Sequence, residues 1–147
     1  MDNRAIIERN KEVAARFLAG THSADLADVA IIDSTVSPEI VCHGFPGGDP
    51  FDHESYKAFF RTFRCSFGDM AWTVDAIVAD ETYVSARWRI EATHCGDFAG
   101  VKAGGRRVRI EGMVLYRMRD GLIAETWLHI DQLSLLAQIG AIPALAA

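Results

Sequence analysis

Hydrophobic side chains in the first half of the chain recur every three to four residues, which is the spacing of an amphipathic helix. This pattern predicts helices over residues 5–19, ended by Gly20, and over residues 24–32. A third helix begins after Asp52, a favourable N-cap residue, and a short strand over residues 40–45 precedes it. The third helix carries an aromatic stripe of Tyr56, Phe59, Phe60, Phe63 and Phe67. We interpret this stripe as core, part of which lines a cavity.

After Gly68 the period of the pattern changes to two, which is typical of strands. Strands are predicted over residues 70–78, 83–94, 106–118 and 122–130. The Asp120-Gly121 pair between the last two predicts a tight hairpin turn. A final helix begins at Asp131 and ends at Gly140. The order of these elements is helices, then an antiparallel meander, then a short helix. This order predicts one α+β domain over residues 1–147.

Alternation along these strands assigns each side chain to one of two sheet faces. One set of alternating residues is mainly apolar, and we expect it to face the helices. It consists of every second residue of 84–94, 108–118 and 122–130. The opposite face carries charged side chains and four large apolar ones, Met113, Leu115, Ile123 and Trp127. Large apolar residues on an outer sheet face indicate a partner, most simply a second copy of the chain. We predict a homodimer that associates through Met113, Leu115 and Trp127.

The composition is that of an ordinary globular protein and excludes several classes of partner. Of the 147 residues, 50% are hydrophobic and 24% are charged, and the net charge is -5. No basic cluster of the kind that binds nucleic acid is present. No apolar run approaches the roughly 18 residues of a membrane span, and the N-terminal residues lack a signal-peptide pattern. Cys42, Cys65 and Cys95 are far apart, so we expect no disulfide framework and a reduced, cytoplasmic location.

Three polar residues are candidates for acid/base chemistry. His94 ends the inner face of its strand, where an imidazole can be a general acid or base, or a core histidine bonded to a backbone carbonyl. His129 and Asp131 lie two residues apart, and a carboxylate beside a histidine can orient it. Asp131 also stands where the N-cap of the last helix is expected. His22 and His53 lie near helix ends, and we expect both to be solvated.

The sequence carries no motif for a cofactor or for a covalent nucleophile. Gly104-Gly105 precedes a strand rather than a helix, so it does not form a phosphate-binding loop. The cysteines have no adjacent basic group that would activate them. A metal site built from His43, His94, His129 and Asp131 is disfavoured because no ligand pair has helical spacing. We therefore expect neither a cofactor nor a metal.

Three blocks in the second half of the chain resemble the SnoaL-like polyketide cyclases. Residues 87–98 resemble the family's RW…THxGxF strand, and residues 104–108 its TGRxV segment. The family's DGxIxExW…D…LLxQLG ending is similar to residues 120–127, Asp131 and residues 135–140. The resemblance implies the nuclear-transport-factor-2-like fold. In that fold a curved antiparallel sheet forms a cone around an apolar pocket, and N-terminal helices close the cone.

The resemblance also implies chemistry, from which this sequence departs. Members of the family close the last ring of aromatic polyketides by aldol chemistry, and relatives assist hydroxylation. The cyclases' acid/base aspartate lies on the last strand, at the position of Leu128. The polar side chains of their preceding strand correspond to Gly112 and Val114. The ring-closing aspartate therefore has no counterpart in this chain.

Two hypotheses about function follow. In the first, an enzyme performs cofactor-free acid/base chemistry, or assists hydroxylation, on a hydrophobic polyketide-like molecule. His94 or His129 is then the proton carrier, and Asp131 is the orienting group. In the second, the protein binds such a molecule without turnover, which the aliphatic Leu128 favours. The expected substrate-binding residues are His43, Phe59, Trp88, Tyr116, Thr126 and Leu128.

Overall fold

The computed structural model describes residues 2–23 and 25–143 as an α+β fold, which confirms the predicted class. The helices are α1 (Asn3–Thr21), a 3-10 helix (Leu26–Ile31), α2 (Ile32–Thr35), α3 (His53–Ser66) and α4 (Gln132–Gln138). The strands are β1 (Val36–His43), β2 (Phe67–Ala79), β3 (Tyr83–His94), β4 (Arg107–Arg119) and β5 (Leu122–Ile130). None of the helices in the described part of the chain has both the length and the hydropathy of a membrane span.

The strands form one curved, open sheet in the order β1-β5-β4-β3-β2. The meander from β2 to β5 is antiparallel, as predicted, whereas β1 pairs in parallel with β5 at the sheet edge. β1 begins at Val36, earlier than the predicted strand, and its register is irregular between Val36 and Val41. Pro38 lies in this irregular stretch, and an edge strand tolerates proline because one of its sides needs no donor.

The end of α1 differs from the prediction. Gly20 does not terminate the helix, which continues to Thr21 with His22 as the C-cap residue. A Cβ atom at Gly20 would lie 2.5 Å from Cγ2 of Ile31, so the glycine allows the 3-10 helix to approach α1 closely. The predicted second helix is this 3-10 helix followed by α2, and Ala24 lies outside the described residues.

The cap of α3 follows from its sequence. The Asp52 carboxylate accepts a hydrogen bond from the Ser55 amide at 2.7 Å, and Ser55 Oγ accepts one from the Asp52 amide at 3.1 Å. This reciprocal pair satisfies amide groups that the first helical turn leaves free. The aromatic stripe packs towards the core, although Phe67 begins β2 rather than extending the helix.

The predicted inner faces of β3 and β4 are buried against the helices. On β5 one assignment was wrong, because Ile123 is fully buried rather than outward-facing. The register shifts between Arg117 and Met118, so Met118 pairs with Ile123 while Arg117 pairs with Glu125. Ala124 is the extra residue of this bulge, and an extra residue reverses the alternation on one side of it. The predicted turn is present, with Asp120 and Gly121 both at positive φ.

Candidate functional site

A cavity lies between the helices and the inner face of the sheet. Its lining is mainly aromatic and aliphatic, with contributions from α1, α3, β3, β4 and β5. The predicted substrate-binding residues that line it are Phe59, Trp88, Tyr116, Thr126 and Leu128. The sixth predicted residue, His43, lies elsewhere, as described below. The concave sheet therefore brings together residues from three strands and two helices around one apolar space.

The cavity is narrow because aromatic rings fill most of the space under the helices. Its volume is about 50 Å³, whereas pockets for drug-sized molecules have roughly 300–1,000 Å³. Phe59 packs edge-on against Phe45 at 4.9 Å between ring centroids and lies 6.2 Å from Phe63. Phe59 and Phe63 are only half-buried. A ligand of several rings would displace these side chains on entry.

Three hydroxyl groups give the cavity a polar side. Tyr56 and Tyr116 are buried, and desolvation raises the pKa of each phenol well above its ordinary value. Thr126 Oγ1 is buried without a hydrogen-bond partner in the described structure. All three hydroxyls are un-ionised at neutral pH and can donate a hydrogen bond to a ligand.

His94 is buried at the end of β3 but does not line this cavity. Its ring stacks on Phe67 with 5.4 Å between centroids. Its Nε2 atom is buried without a hydrogen-bond partner among the described residues. The main chain of His94 bonds to Arg106 and Gly105, which joins the end of β3 to the start of β4.

His129 and Asp131 lie on the other side of the sheet from the cavity. Both line an open groove of about 730 Å³ on the outer face, together with Met113, Leu115 and Trp127. The Asp131 carboxylate accepts a hydrogen bond from the Ser134 amide at 3.1 Å, as expected of the N-cap of α4. The fold therefore does not bring His129 and Asp131 together with His94.

His43 also lies outside the cavity, in an ion-paired cluster. Its Nε2 atom is 2.7 Å from the Glu125 carboxylate, and its ring stacks on Trp127 at 5.3 Å between centroids. Glu125 also accepts a hydrogen bond from Arg117 Nε at 3.2 Å. The hydrogen bond from His43 and then the contact with Arg117 lower the pKa of Glu125 below its ordinary value. The cluster links β1 to β5 and β4.

The expectation that His22 is solvated was wrong, since this residue lines the cavity. Its ring stacks on Trp72 at 5.2 Å and lies 5.7 Å from Phe60 and 6.4 Å from Trp88, measured between centroids. Desolvation lowers the pKa of His22 to about 4, and the nearby Arg64 adds to this effect. One signal in the sequence could have found it. His22 follows Leu18 by four residues, so it continues the buried stripe of α1 by one turn.

No group of three or more potential metal ligands is found within residues 2–23 and 25–143. The four residues considered for such a site are instead divided between the two faces of the sheet. His94 is on the inner side, and His129 and Asp131 line the outer groove.

The sequence model of one family, described as SnoaL-like polyketide cyclase, matches residues 12–139. The chain belongs to this family. Among curated proteins, none is significantly similar to it in sequence.

Several solved structures have the same fold. A protein from Jannaschia sp. CCS1 named as a SnoaL-like polyketide cyclase is 21% identical, with a TM-score of 0.84 over 97% of this chain and 99% of that one. AclR of Streptomyces galilaeus, named as a hydroxylase, is 27% identical, with a TM-score of 0.79 over 95% and 86% of the two chains. IdmH of Streptomyces antibioticus, named as a polyketide cyclase, is 29% identical, with a TM-score of 0.73 over 89% and 98%.

In this SnoaL-like protein, the three positions that the resemblance marks as departures lie at or beside the cavity. Leu128 and Val114 line it with aliphatic side chains. A Cβ atom at Gly112 would lie 2.5 Å from Cζ2 of Trp88 and 2.6 Å from the carbonyl oxygen of His129. The Trp88 indole therefore occupies the space into which a side chain at position 112 would project.

Proposed function

We propose that this protein binds a hydrophobic, polyketide-like small molecule in the cavity between sheet and helices. The observation that carries the proposal is the lining, which combines aromatic rings with un-ionised hydroxyls in one buried space. Binding sites for small apolar molecules have this composition, since apolar surface supplies affinity and a few polar groups set orientation. The name of IdmH, a polyketide cyclase, supports the same ligand class.

The arrangement of the rings favours a flat ligand. Tyr56 and Phe60 are stacked with 8° between their planes, and Phe17 meets both edge-on. A flat aromatic ligand can pack against such rings face to face or edge to face, the geometries that aromatic pairs prefer. Tyr116 and Thr126 then donate hydrogen bonds to carbonyl oxygens of that ligand.

This proposal is a binding function that does not depend on His94, His129 or Asp131, because none of the three lines the cavity. Cofactor-free acid/base chemistry on the bound molecule is the second candidate. It lacks the ring-closing aspartate, whose position is Leu128. One observation favours it, namely that a different titratable side chain, His22, lines the same cavity.

Tyr116→Phe is expected to weaken binding of 1,8-dihydroxyanthraquinone, a flat polyketide-like tricycle, by about tenfold. The substitution removes one hydroxyl from a dry site, and a lost hydrogen bond of this kind costs about 1–2 kcal/mol. Quenching of tryptophan fluorescence measures the affinity, because Trp88 lines the cavity.

Tyr83→Phe is the matched control, because Tyr83 is partly exposed and lies outside the cavity. Its affinity for the tricycle should equal that of the unaltered protein. A protein that does not bind the tricycle, or equal losses in the two variants, would show that the cavity is not the binding site.

We propose in addition that the outer sheet face binds a second copy of the chain. Met113 and Leu115 remain 49% and 37% exposed there, beside Trp127. Around them, Arg87 and Arg109 lie 4.0 Å and 2.9 Å from the Glu111 carboxylate. Charges of both signs around an apolar centre suit a two-fold interface, in which each patch meets its own copy.

Trp127→Glu is therefore expected to shift the protein from dimer towards monomer, because it adds a negative charge to the apolar centre of the patch. Light scattering at tens of micromolar, a usual working concentration for modest interfaces, measures the change in mass. Val78→Glu is the control, since Val78 is 65% exposed and does not line the outer groove. A protein that is already monomeric without any substitution refutes the dimer.

A further inference from the structure

His22 has a defined tautomer. Its Nδ1 atom lies 2.9 Å from the carbonyl oxygen of Leu18, which can only accept a hydrogen bond. The proton of the neutral ring therefore lies on Nδ1. Thr21 Oγ1 is 3.1 Å from the same nitrogen, but it donates its own proton to the Phe17 carbonyl at 2.8 Å. Thr21 thus acts on His22 as a second acceptor, and this tautomer leaves the lone pair on Nε2.

The His22 ring packs among aromatic side chains, and its Nε2 atom makes no hydrogen bond to a described residue. Both hydrogen bonds of the imidazole to described residues are made by Nδ1. The ring stacks on Trp72 of β2, and it meets Phe60 of α3 at an edge and Trp88 of β3 at a tilt. The charged group that acts on the ring is Arg64 of α3, which also donates a hydrogen bond to the Thr21 carbonyl. A positive charge beside a desolvated imidazole disfavours its protonation. The ring is therefore neutral at physiological pH, and Nε2 is an acceptor.

We propose that Nε2 of His22 accepts a hydrogen bond from a phenolic or enolic hydroxyl of the molecule that the cavity binds. This assignment rests on the proposed binding function and specifies its ligand class, a flat, hydroxylated ring system. A neutral O–H donor suits the position, whereas a cationic donor would have to be desolvated beside the Arg64 guanidinium. Tyr116 and Thr126, on the sheet, provide donors for the carbonyl oxygens of the same ligand.

The test compares 2-naphthol with naphthalene at pH 7, by fluorescence titration of the intact protein. The two probes have the same fused rings and differ in one hydroxyl. We expect His22→Phe, which keeps an aromatic ring without an acceptor, to lower the ratio of 2-naphthol to naphthalene affinity about tenfold. His22→Gln should restore part of that ratio, because its amide oxygen can accept the hydrogen bond.

His53→Phe is the matched control. Its imidazole bonds to the Val36 carbonyl at 2.7 Å and does not line the cavity, so the affinity ratio should not change. A shift of the His22 Nε2 resonance in ¹⁵N spectra when 2-naphthol is added, and no shift with naphthalene, would support the assignment. The same affinity ratio in His22→Phe as in the unaltered protein would overturn it and leave the binding function standing. Binding of neither probe would overturn both.

Discussion

Phe17→Ala is expected to lower the free energy of unfolding by roughly 3–5 kcal/mol, the usual cost of removing a buried aromatic ring. Phe17 is 1% exposed and connects α1 to the aromatic cluster. Its ring lies 5.4 Å from Tyr56, 6.0 Å from Phe60 and 5.7 Å from Tyr116, measured between centroids, and meets each at an edge. The loss combines buried apolar surface, three ring contacts and the space left behind. Urea denaturation followed by circular dichroism measures it.

Phe51→Ala is the control for this experiment, because the same side chain at position 51 is 72% exposed. A surface substitution of this kind changes stability by no more than about 0.5 kcal/mol. The Phe17 variant should also bind naphthalene more tightly than the unaltered protein, since its cavity is larger. A loss below about 1 kcal/mol for Phe17→Ala would show that the aromatic cluster repacks easily.

Between pH 6.5 and pH 4, the free energy of unfolding is expected to fall by about 3 kcal/mol less in His22→Gln than in the unaltered protein. The pKa of His22 falls from its ordinary 6.5 to about 4 on folding, mainly through desolvation. Between these values the unfolded chain binds a proton that the folded protein does not. The free energy of unfolding is therefore not reduced by His22 above pH 6.5, and protonation of His22 in the unfolded chain reduces it as the pH falls towards 4. A glutamine cannot titrate, so its variant lacks this part of the acid dependence.

The measurement is the free energy of unfolding at pH 7 and at pH 4, compared within each variant. His53→Gln serves as the control and should keep the dependence that His22 produces. Asp33, Asp52 and Asp80 also have a pKa below the ordinary value, through hydrogen bonds with Lys57, Ser55 and Tyr83 respectively. Their stabilisation is lost at lower pH in the unaltered protein and in His22→Gln alike, so it cancels in that comparison. The control His53→Gln also removes the part of the Asp33 and Asp52 shifts that His53 causes. An unchanged acid dependence in His22→Gln would show that the imidazole is hydrated in the folded protein.

The cavity and the departures from the family pattern support one interpretation of this SnoaL-like protein. Leu128 leaves the last strand without the carboxylate of the cyclases, and the Trp88 indole fills the space beside Gly112. The polar groups of the cavity therefore lie at other positions, on Tyr56, Tyr116 and Thr126, with His22 on the side of α1. Any acid/base chemistry on the bound molecule would depend on this set rather than on the aspartate of the family.

The sequence alone determined the strands and most of their faces, because both depend on local patterns. Alternation with period two is a property of each strand by itself, and it predicted β3 and β5 with their observed ends. The Asp120-Gly121 turn and the Asp52 cap are also short-range features, in which side chains interact with backbone a few residues away. The family blocks were identified from sequence for a related reason, since motifs at fixed spacing need no knowledge of contacts. Of the predicted substrate-binding residues, all but His43 line the cavity.

Tertiary structure alone decided where the histidines lie. Sequence alternation does not show the bulge at Ala124, which buries Ile123, because a bulge depends on the register of the partner strand. The contact of His43 with Glu125 requires the parallel pairing of β1 with β5, two strands separated by most of the chain. His22 is desolvated because Trp72 of β2 and Phe60 of α3 pack on a residue that ends α1. Local polarity predicts solvent at a helix end, and only distant segments that fold over that end can exclude it.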